Sequence, residues 1–317
     1  MARTLEEITV EVTQKCNSGC IYCSSLSTPK SVHEIPLKKL KEIALFAKEK
    51  KANNINISGG EPLLKADLDE FVDFCYKNEL KTNVYTSGNV DFKPFLASDC
   101  IKNVDKTYIK FIFNYHSSSP ETFNKLVNCS GFGLDIINKN IKLCLENNFD
   151  VEVHIVPNAL NIDTIYETSR FLKNLGVKRV SLLRMVFQGR AEKNKNILVI
   201  DDSSKLKNII ENVKNNLCDY NFNLRCGIPF NKEANQELKC VAGYKKLIIR
   251  YDGIVFPCEA FKEAPNGHKY ILGNIYKNTL DEIWDKYHIM DELQQLREKA
   301  QFNCESCPAQ VLYKLEI

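Results

Sequence analysis

EEITVEVTQKCNSGCIYCSS (residues 6–25) sets a short β-branched run directly against three cysteines, Cys16, Cys20 and Cys23. Working outward, similar runs recur at NINIS (54–58), TNVYTS (82–87), YIKFIF (108–113), VEVHIV (151–156) and RVSLLRMV (179–186). Segments of helical periodicity lie between most of them, marked by Leu37, Leu40, Ala44 and Ala47; by Leu68, Phe71, Val72 and Cys75; by Ile137, Ile141, Cys144 and Leu145; and by Ile165, Phe171 and Leu172. The alternation predicts an α/β fold of parallel strands joined by crossover helices, which right-handed repetition curls toward a barrel. Six units in place of eight predict a partial (β/α)6 TIM-like barrel. In such sheets reactive groups sit on loops at the C-terminal ends of strands, and the cysteine stretch follows the first strand.

The whole chain agrees with a folded domain of this size: 317 residues, 44% hydrophobic and 26% charged. The beginning MARTLEEITVEV has no apolar signal region, and no stretch approaches the ~18 apolar residues that span a bilayer. The expectation is a cytoplasmic protein without a membrane partner. Thirteen cysteines, an odd number, then argue for metal ligation or catalysis over a disulfide framework. A net charge of +3 without a Lys/Arg stripe among aromatics gives no warrant for nucleic-acid binding. The KKLKEIALFAKEKK run reads as the solvated face of a helix.

From about residue 187 the pattern breaks into a polar connector, FQGRAEKNKN, then a helix near 202–217 and a second cysteine-bearing region. The expected division is 1–200 for the barrel and 201–317 for a smaller C-terminal unit. Three cysteines on one loop are compatible with part of a zinc site, an iron–sulfur site or a catalytic thiol pair. Structural zinc normally takes four ligands, and the fourth is missing locally. A cubane cluster held by three cysteines leaves one iron open to a substrate or cofactor. ISGGEPLL (57–64) ends the second strand, where Gly59 and Gly60 would let backbone approach a ligand and Glu61 would accept a hydrogen bond from an amine.

Together these features resemble the radical S-adenosylmethionine enzymes. The resemblance rests on Cys16, Cys20 and Cys23, on Tyr22 before the last cysteine, and on Ser58-Gly59-Gly60-Glu61-Pro62, within the order of six β/α units. It implies a [4Fe–4S] cluster on the three cysteines whose open iron binds the amino and carboxylate groups of S-adenosylmethionine, with the GGEP segment contacting the methionine amine. YTSGN (85–89) is similar to the family's third-strand ligand segment, which makes Ser87 a cofactor contact. Asn114 on the fourth strand and Arg184 on the sixth are weaker carry-overs, for which an inward polar residue satisfied within the barrel is the competing reading. The implied chemistry is one-electron cleavage of the carbon–sulfur bond, giving a 5′-deoxyadenosyl radical that takes hydrogen from an unactivated C–H bond. The electron would come from a donor such as flavodoxin or ferredoxin.

The second set comprises Cys226, Cys240, Cys258, Cys304 and Cys307, with Asp252-Gly253 reading as a hairpin turn before Cys258. Four of these in isolation suggest a zinc ribbon. Their arrangement around LGNI (272–275), TLDEIW and CESCP resembles the shortened SPASM module called Twitch. That resemblance implies one fully ligated auxiliary [4Fe–4S] cluster on Cys240, Cys258, Cys304 and Cys307. Cys226 is left over, either as a small buried hydrophobe or as a hydrogen-atom donor to a substrate radical. Cys75 and Cys144 fall on apolar helix stripes and read as core. His116 and His154 lie on or just after strands and read either as substrate-facing or as satisfied core groups. Gln188 and Arg190 are placed to grip a carboxylate or peptide backbone, or to form a solvated turn.

A fully ligated auxiliary cluster favours electron relay over substrate binding. The resembling families then suggest modification of a ribosomally made peptide by crosslinking, oxidation or epimerisation. The alternatives are a small-molecule dehydrogenase of an aminoglycoside-like pathway and a non-enzymatic zinc or iron–sulfur scaffold. The molybdenum-cofactor synthase is similar across the core, but its chain ends in paired glycines where this one ends LYKLEI, and it is set aside. A core starting near residue 6 leaves no N-terminal leader-binding domain, which points either to a separate leader-binding protein or to a small-metabolite substrate.

Overall fold

The computed structural model describes residues 4–128, 133–226, 242–263 and 267–285. The six expected strands are present: β1 (Glu7–Thr13), β2 (Asn54–Gly59), β3 (Lys81–Thr86), β4 (Ile109–Asn114), β5 (Asp150–Ile155) and β6 (Arg179–Leu182). They pair in parallel and in sequence order. Helices Leu37–Glu49, Leu68–Lys77, Leu134–Glu146 and Ile165–Asn174 supply the crossovers. Their stripes bury as expected: Leu40, Ala44, Phe71, Val72, Ile141 and Leu172 lie in the core, as do Cys75 and Cys144. This is the partial TIM-like barrel.

The sheet, however, runs past the six units. β7 (Asn223–Cys226) continues it in parallel beyond β6, after helix Ser203–Leu217. At the other edge β8 (Lys246–Ile249) pairs in parallel with β1, followed antiparallel by β9 (Ile254–Phe256) and β10 (Gly273–Asn274). The order β10-β9-β8-β1-β2-β3-β4-β5-β6-β7 makes the expected hairpin an extension of the barrel wall. Helix Leu280–Trp284 opens with a capping box between Thr279 and Glu282, two orphan backbone donors satisfied reciprocally.

β6 ends at Leu182, so Arg184 lies two residues past the strand and not on it. The connector FQGRAEKNKN folds into two short helices, Arg190–Lys193 and Lys195–Leu198. Cys240, Cys304, Cys307 and Cys129 lie outside the described residues.

The two faces of the sheet differ chemically. On the helix side, Ile8, Val10, Val12, Ile55, Ile57, Phe111, Phe113, Val151, Val153 and Leu182 form the core. On the concave side the alternate positions are polar: Glu7, Thr9 and Glu11 on β1, Asn56 on β2, Asn83 and Tyr85 on β3, Glu152 and His154 on β5, and Ser181 on β6. A barrel packed solid would carry branched apolar side chains there.

Candidate active site

The cysteine loop leaves β1 at Thr13, and its backbone groups are accounted for one by one. Cys16 N–H donates to the Thr28 carbonyl (3.1 Å), Gly19 N–H to Asn128 (2.6 Å) and Ile21 N–H to Leu126 (3.0 Å). The carbonyls are held from the segment after β6. Arg190 Nε donates to Cys20 O (2.7 Å), both Arg190 terminal nitrogens to Ser27 O (3.0 Å), Arg190 N–H to Cys23 O (2.9 Å) and Asn194 Nδ2 to Ile21 O (2.9 Å). Gly189, at φ +60°, lets this segment approach, since a Cβ there would sit 2.8 Å from the Cys23 and Ser24 carbonyls.

With the backbone so restrained, the three thiols sit within reach of one another's charge, Cys20 also hydrogen-bonded with the Tyr22 side chain. Burial pushes the Cys16 and Cys20 thiols up to about 12; the charges of Glu61 and of the other two cysteines add to the rise at Cys16, and that of Cys23 at Cys20. Thiols so placed ionise when a cation takes the proton's place, and metal binding then releases protons. Among the described residues no three His, Cys, Asp or Glu side chains converge as around a single ion. Three mutually interacting thiols on one loop fit the wider [4Fe–4S] cluster, for which they supply three of four ligands. Burial and the nearby Cys20 raise the Tyr22 hydroxyl, and the Tyr22 ring meets His116 edge-on at 4.4 Å. His116 Nδ1 accepts from Val156 N–H (3.2 Å), so its proton sits on Nε2, which is buried without a hydrogen-bond partner. Burial, then the charge of His154, holds His116 down to about 4.

The GGEP turn is tied to the cysteine loop through its backbone N–H groups. Gly60 N–H donates to Thr13 O (2.7 Å) and Glu61 N–H to Lys15 O (2.8 Å), so neither is left for a ligand. A Cβ on Gly60 would collide with Lys15 O and sit 2.6 Å from Gln14 O. The glycines make room for the chain entering the cysteine loop. Glu61 is fully buried: Thr86 Oγ1 (2.7 Å), Ser87 N–H (2.8 Å), Ser87 Oγ (2.6 Å) and Leu63 N–H (3.3 Å) all donate to its carboxylate. Ser87 Oγ also accepts from Asn89 N–H (3.2 Å). Glu61 and Ser87, expected as cofactor contacts, are partnered with each other as a strut between β2 and β3. Pro62 opens a short 3-10 turn, Pro62–Leu64. Asn89 extends the strut to the cysteine loop, receiving a hydrogen bond from Asn17 on its carbonyl and reaching Ser18 Oγ (3.2 Å).

Three further placements sharpen the sequence reading. Cys226 pairs with Leu182 in register and follows Leu224 at a two-residue interval, both buried on the helix side. It therefore lies on the outer face, packed against the helix-side core, the placement that the small-hydrophobe reading expects. Arg190 grips backbone, but that of the cysteine loop itself. Gln188 ties the barrel to the C-terminal region, donating to Glu259 O (3.0 Å) and accepting from Glu263 N–H (3.2 Å). Asn114 ends β4 in register with His154, on the concave face as expected.

Several concave-face groups had no counterpart in the sequence reading. Glu259, next to Cys258, accepts from Thr9 Oγ1 (2.9 Å) and pairs with Lys246 (2.5 Å). Burial alone would raise its carboxyl, but Lys246 outweighs it and holds it at about 2. Glu152 also ends at about 2, burial being outweighed by hydrogen bonds from His154 (3.2 Å) and Ser181 (2.6 Å). Glu11 forms a buried pair with Lys262, and both contact Ser25, just past Cys23. The available signal was the polar–apolar alternation of EITVEVT, unusual for a parallel strand covered on both faces.

Comparison with known proteins places these features. A family model described as Radical SAM superfamily matches residues 10–172, and one described as an iron–sulfur cluster-binding domain, SPASM, matches residues 240–308. GTP 3',8-cyclase of Aquifex aeolicus is 30% identical over 192 residues, 56% of this chain and 56% of the cyclase. The antilisterial bacteriocin subtilosin biosynthesis protein AlbA of Bacillus subtilis is 24% identical over 277 residues, 87% of this chain and 59% of AlbA. The chain thus spans little more than half the length of these relatives. Among solved structures, Streptococcus suis SuiB bound to S-adenosylmethionine superposes with a TM-score of 0.77 at 19% identity, covering 96% of this chain and 71% of SuiB. A structure of anSMEcpe with bound AdoMet gives 0.69 at 17%, covering 96% and 86%. Among the described residues no helix is long and apolar enough to cross a membrane.

Proposed function

The chain belongs to the radical SAM superfamily, with a SPASM region after the barrel, and from that premise we propose that it modifies a ribosomally made peptide. Cys16, Cys20 and Cys23 would hold the family's [4Fe–4S] cluster, with Cys258 and the SPASM cysteines Cys240, Cys304 and Cys307 holding an auxiliary one. Bound together, cluster and S-adenosylmethionine supply reductive carbon–sulfur cleavage and a 5′-deoxyadenosyl radical able to take hydrogen from an unactivated carbon. This chain's part is to fix the cluster loop, shield it from water and orient the substrate carbon beneath it.

The observation that carries the reading is the polar concave face below the cysteine loop. Tyr85 and Asn114 present polar groups suited to peptide there, set in a polar wall where Asn56, Asn83, Glu152, His154 and Glu259 are hydrogen-bonded to one another and to Thr9, Ser181 and Lys246. Two relatives support the substrate class. AlbA, a bacteriocin biosynthesis protein, aligns over 87% of the chain, whereas the GTP cyclase aligns over 56%. SuiB has been solved with the precursor peptide SuiA. A flavodoxin or ferredoxin would supply the electron.

The test is anaerobic reconstitution with dithionite, S-adenosylmethionine and short peptides encoded beside the gene. The expected result is 5′-deoxyadenosine formed together with a peptide that has lost two hydrogens or, in deuterium oxide, gained deuterium. Cleavage stimulated by GTP and by no peptide would replace the peptide reading with a nucleotide one. Cleavage no faster than in the C16A/C20A/C23A variant would overturn the activity.

A further inference from the structure

We propose that Arg190 is a positioning residue for the three-cysteine cluster, and that its guanidinium is a fixed positive charge favouring the reduced state of that cluster. The inference rests on Cys16, Cys20 and Cys23 being the ligands, which the triple alanine variant tests separately.

The geometry first assigns the positioning. Arg190 reaches three loop carbonyls, those of Cys20 (2.7 Å), Ser27 (3.0 Å) and, through its own N–H, Cys23 (2.9 Å). Its anchors thus start at one ligand, include another and end four residues beyond it. Asn194 adds Ile21, between the two ligands. The guanidinium is planar, and its two ends hold two points of the loop at a fixed separation.

Hydrogen bonding alone does not require a cation. Asn194 holds its carbonyl with a neutral amide, and a glutamine would reach Cys20 O similarly. At Arg190 the donor brings a full charge. Among the described residues no carboxylate lies within salt-bridge distance of it; its partners are all carbonyls. An unneutralised charge at a partly buried position is weakly screened. Reduction adds one negative charge to a cluster, and local charge is among the factors that set cluster potentials.

The same segment also faces the other cysteine region. Gln188, two residues earlier, is bonded to Glu259 and Glu263, next to Cys258 and a few residues past it. One turn of chain thus fixes the cluster loop relative to the C-terminal region.

The test is an EPR redox titration of the full chain, reading the signal that S-adenosylmethionine perturbs, in wild type, R190Q, R190K and N194L. R190Q is expected to lower the reduced-to-oxidised ratio at fixed potential about tenfold, equivalent to about 59 mV for a one-electron couple. R190K is expected to stay within about threefold of wild type, and N194L to leave the potential unchanged. Equal potentials in R190Q and wild type, or an equal drop in R190K and R190Q, would overturn the charge assignment. Loss of iron from R190Q and R190K alike, with secondary structure intact by circular dichroism, would reduce Arg190 to a clip and overturn it too. A SAM-perturbed signal surviving in C16A/C20A/C23A would refute the ligand assignment instead.

Discussion

The cysteine loop and the GGEP turn stand side by side at the tops of β1 and β2, and they serve the site in opposite ways. The loop offers side chains: three thiols and Tyr22, while its backbone is held by Arg190, Asn194 and neighbouring carbonyls. The turn offers the absence of side chains at Gly59 and Gly60 and withdraws its one charged group, Glu61, into the protein. Whatever each contributes to a bound cofactor, the loop is built as an instrument and the turn as its mounting.

The largest test of that division removes the instrument. C16A/C20A/C23A should lower iron from about eight to about four per chain, as for loss of one of two cubane clusters, and abolish 5′-deoxyadenosine formation. Iron analysis checks this. Next, the mounting: G60A forces a Cβ onto the Lys15 and Gln14 carbonyls and should cost about 2–3 kcal/mol, measured by urea denaturation, with iron lost although no thiol was touched. Unchanged iron and stability would show that the turn is not a spacer.

The third test probes His116, which packs on Tyr22 of the loop. Its folded pKa near 4 lies below the ordinary 6.5, so the unfolded chain binds the extra proton first. This contribution is complete above pH 6.5 and is lost as the pH falls toward 4, by up to about 3 kcal/mol. H116Q should flatten the fall in stability across that window. The smallest effect is expected at Glu61, where E61Q should cost about 1–2 kcal/mol from mismatched hydrogen bonds to Thr86 and Ser87, with S-adenosylmethionine affinity changed less than threefold. A large loss of affinity without loss of stability would restore Glu61 as a cofactor contact and narrow the contrast.

The six-unit barrel was legible because each unit shows its period: β-branched runs for strands, and stripes such as Leu68, Phe71, Val72 and Cys75 for helices. The cysteines were legible by spacing. What escaped were roles set by partners distant in sequence. Arg190 and Gln188 sit together in a connector that reads as polar loop, yet one contacts residues 20–27 and the other 259–263. Cys226 reads as an unassigned thiol, and only strand register tells which face it takes. Glu11 looks like an edge charge on a seven-residue strand until its partner, Lys262, is known.

The pairing of β1 with β8 bears on how the molecule is made. β1 carries the cysteine loop and leaves the ribosome well before its partner β8, so its second edge stays open until residues 246–249 are synthesised. Until then that edge is an unpaired row of N–H and C=O groups, open to pairing with other chains. Closing it requires a contact across more than two-thirds of the chain, which is slow to form. Helper proteins that guard nascent strands, and lower growth temperature, should therefore raise the yield of intact enzyme more than added iron does.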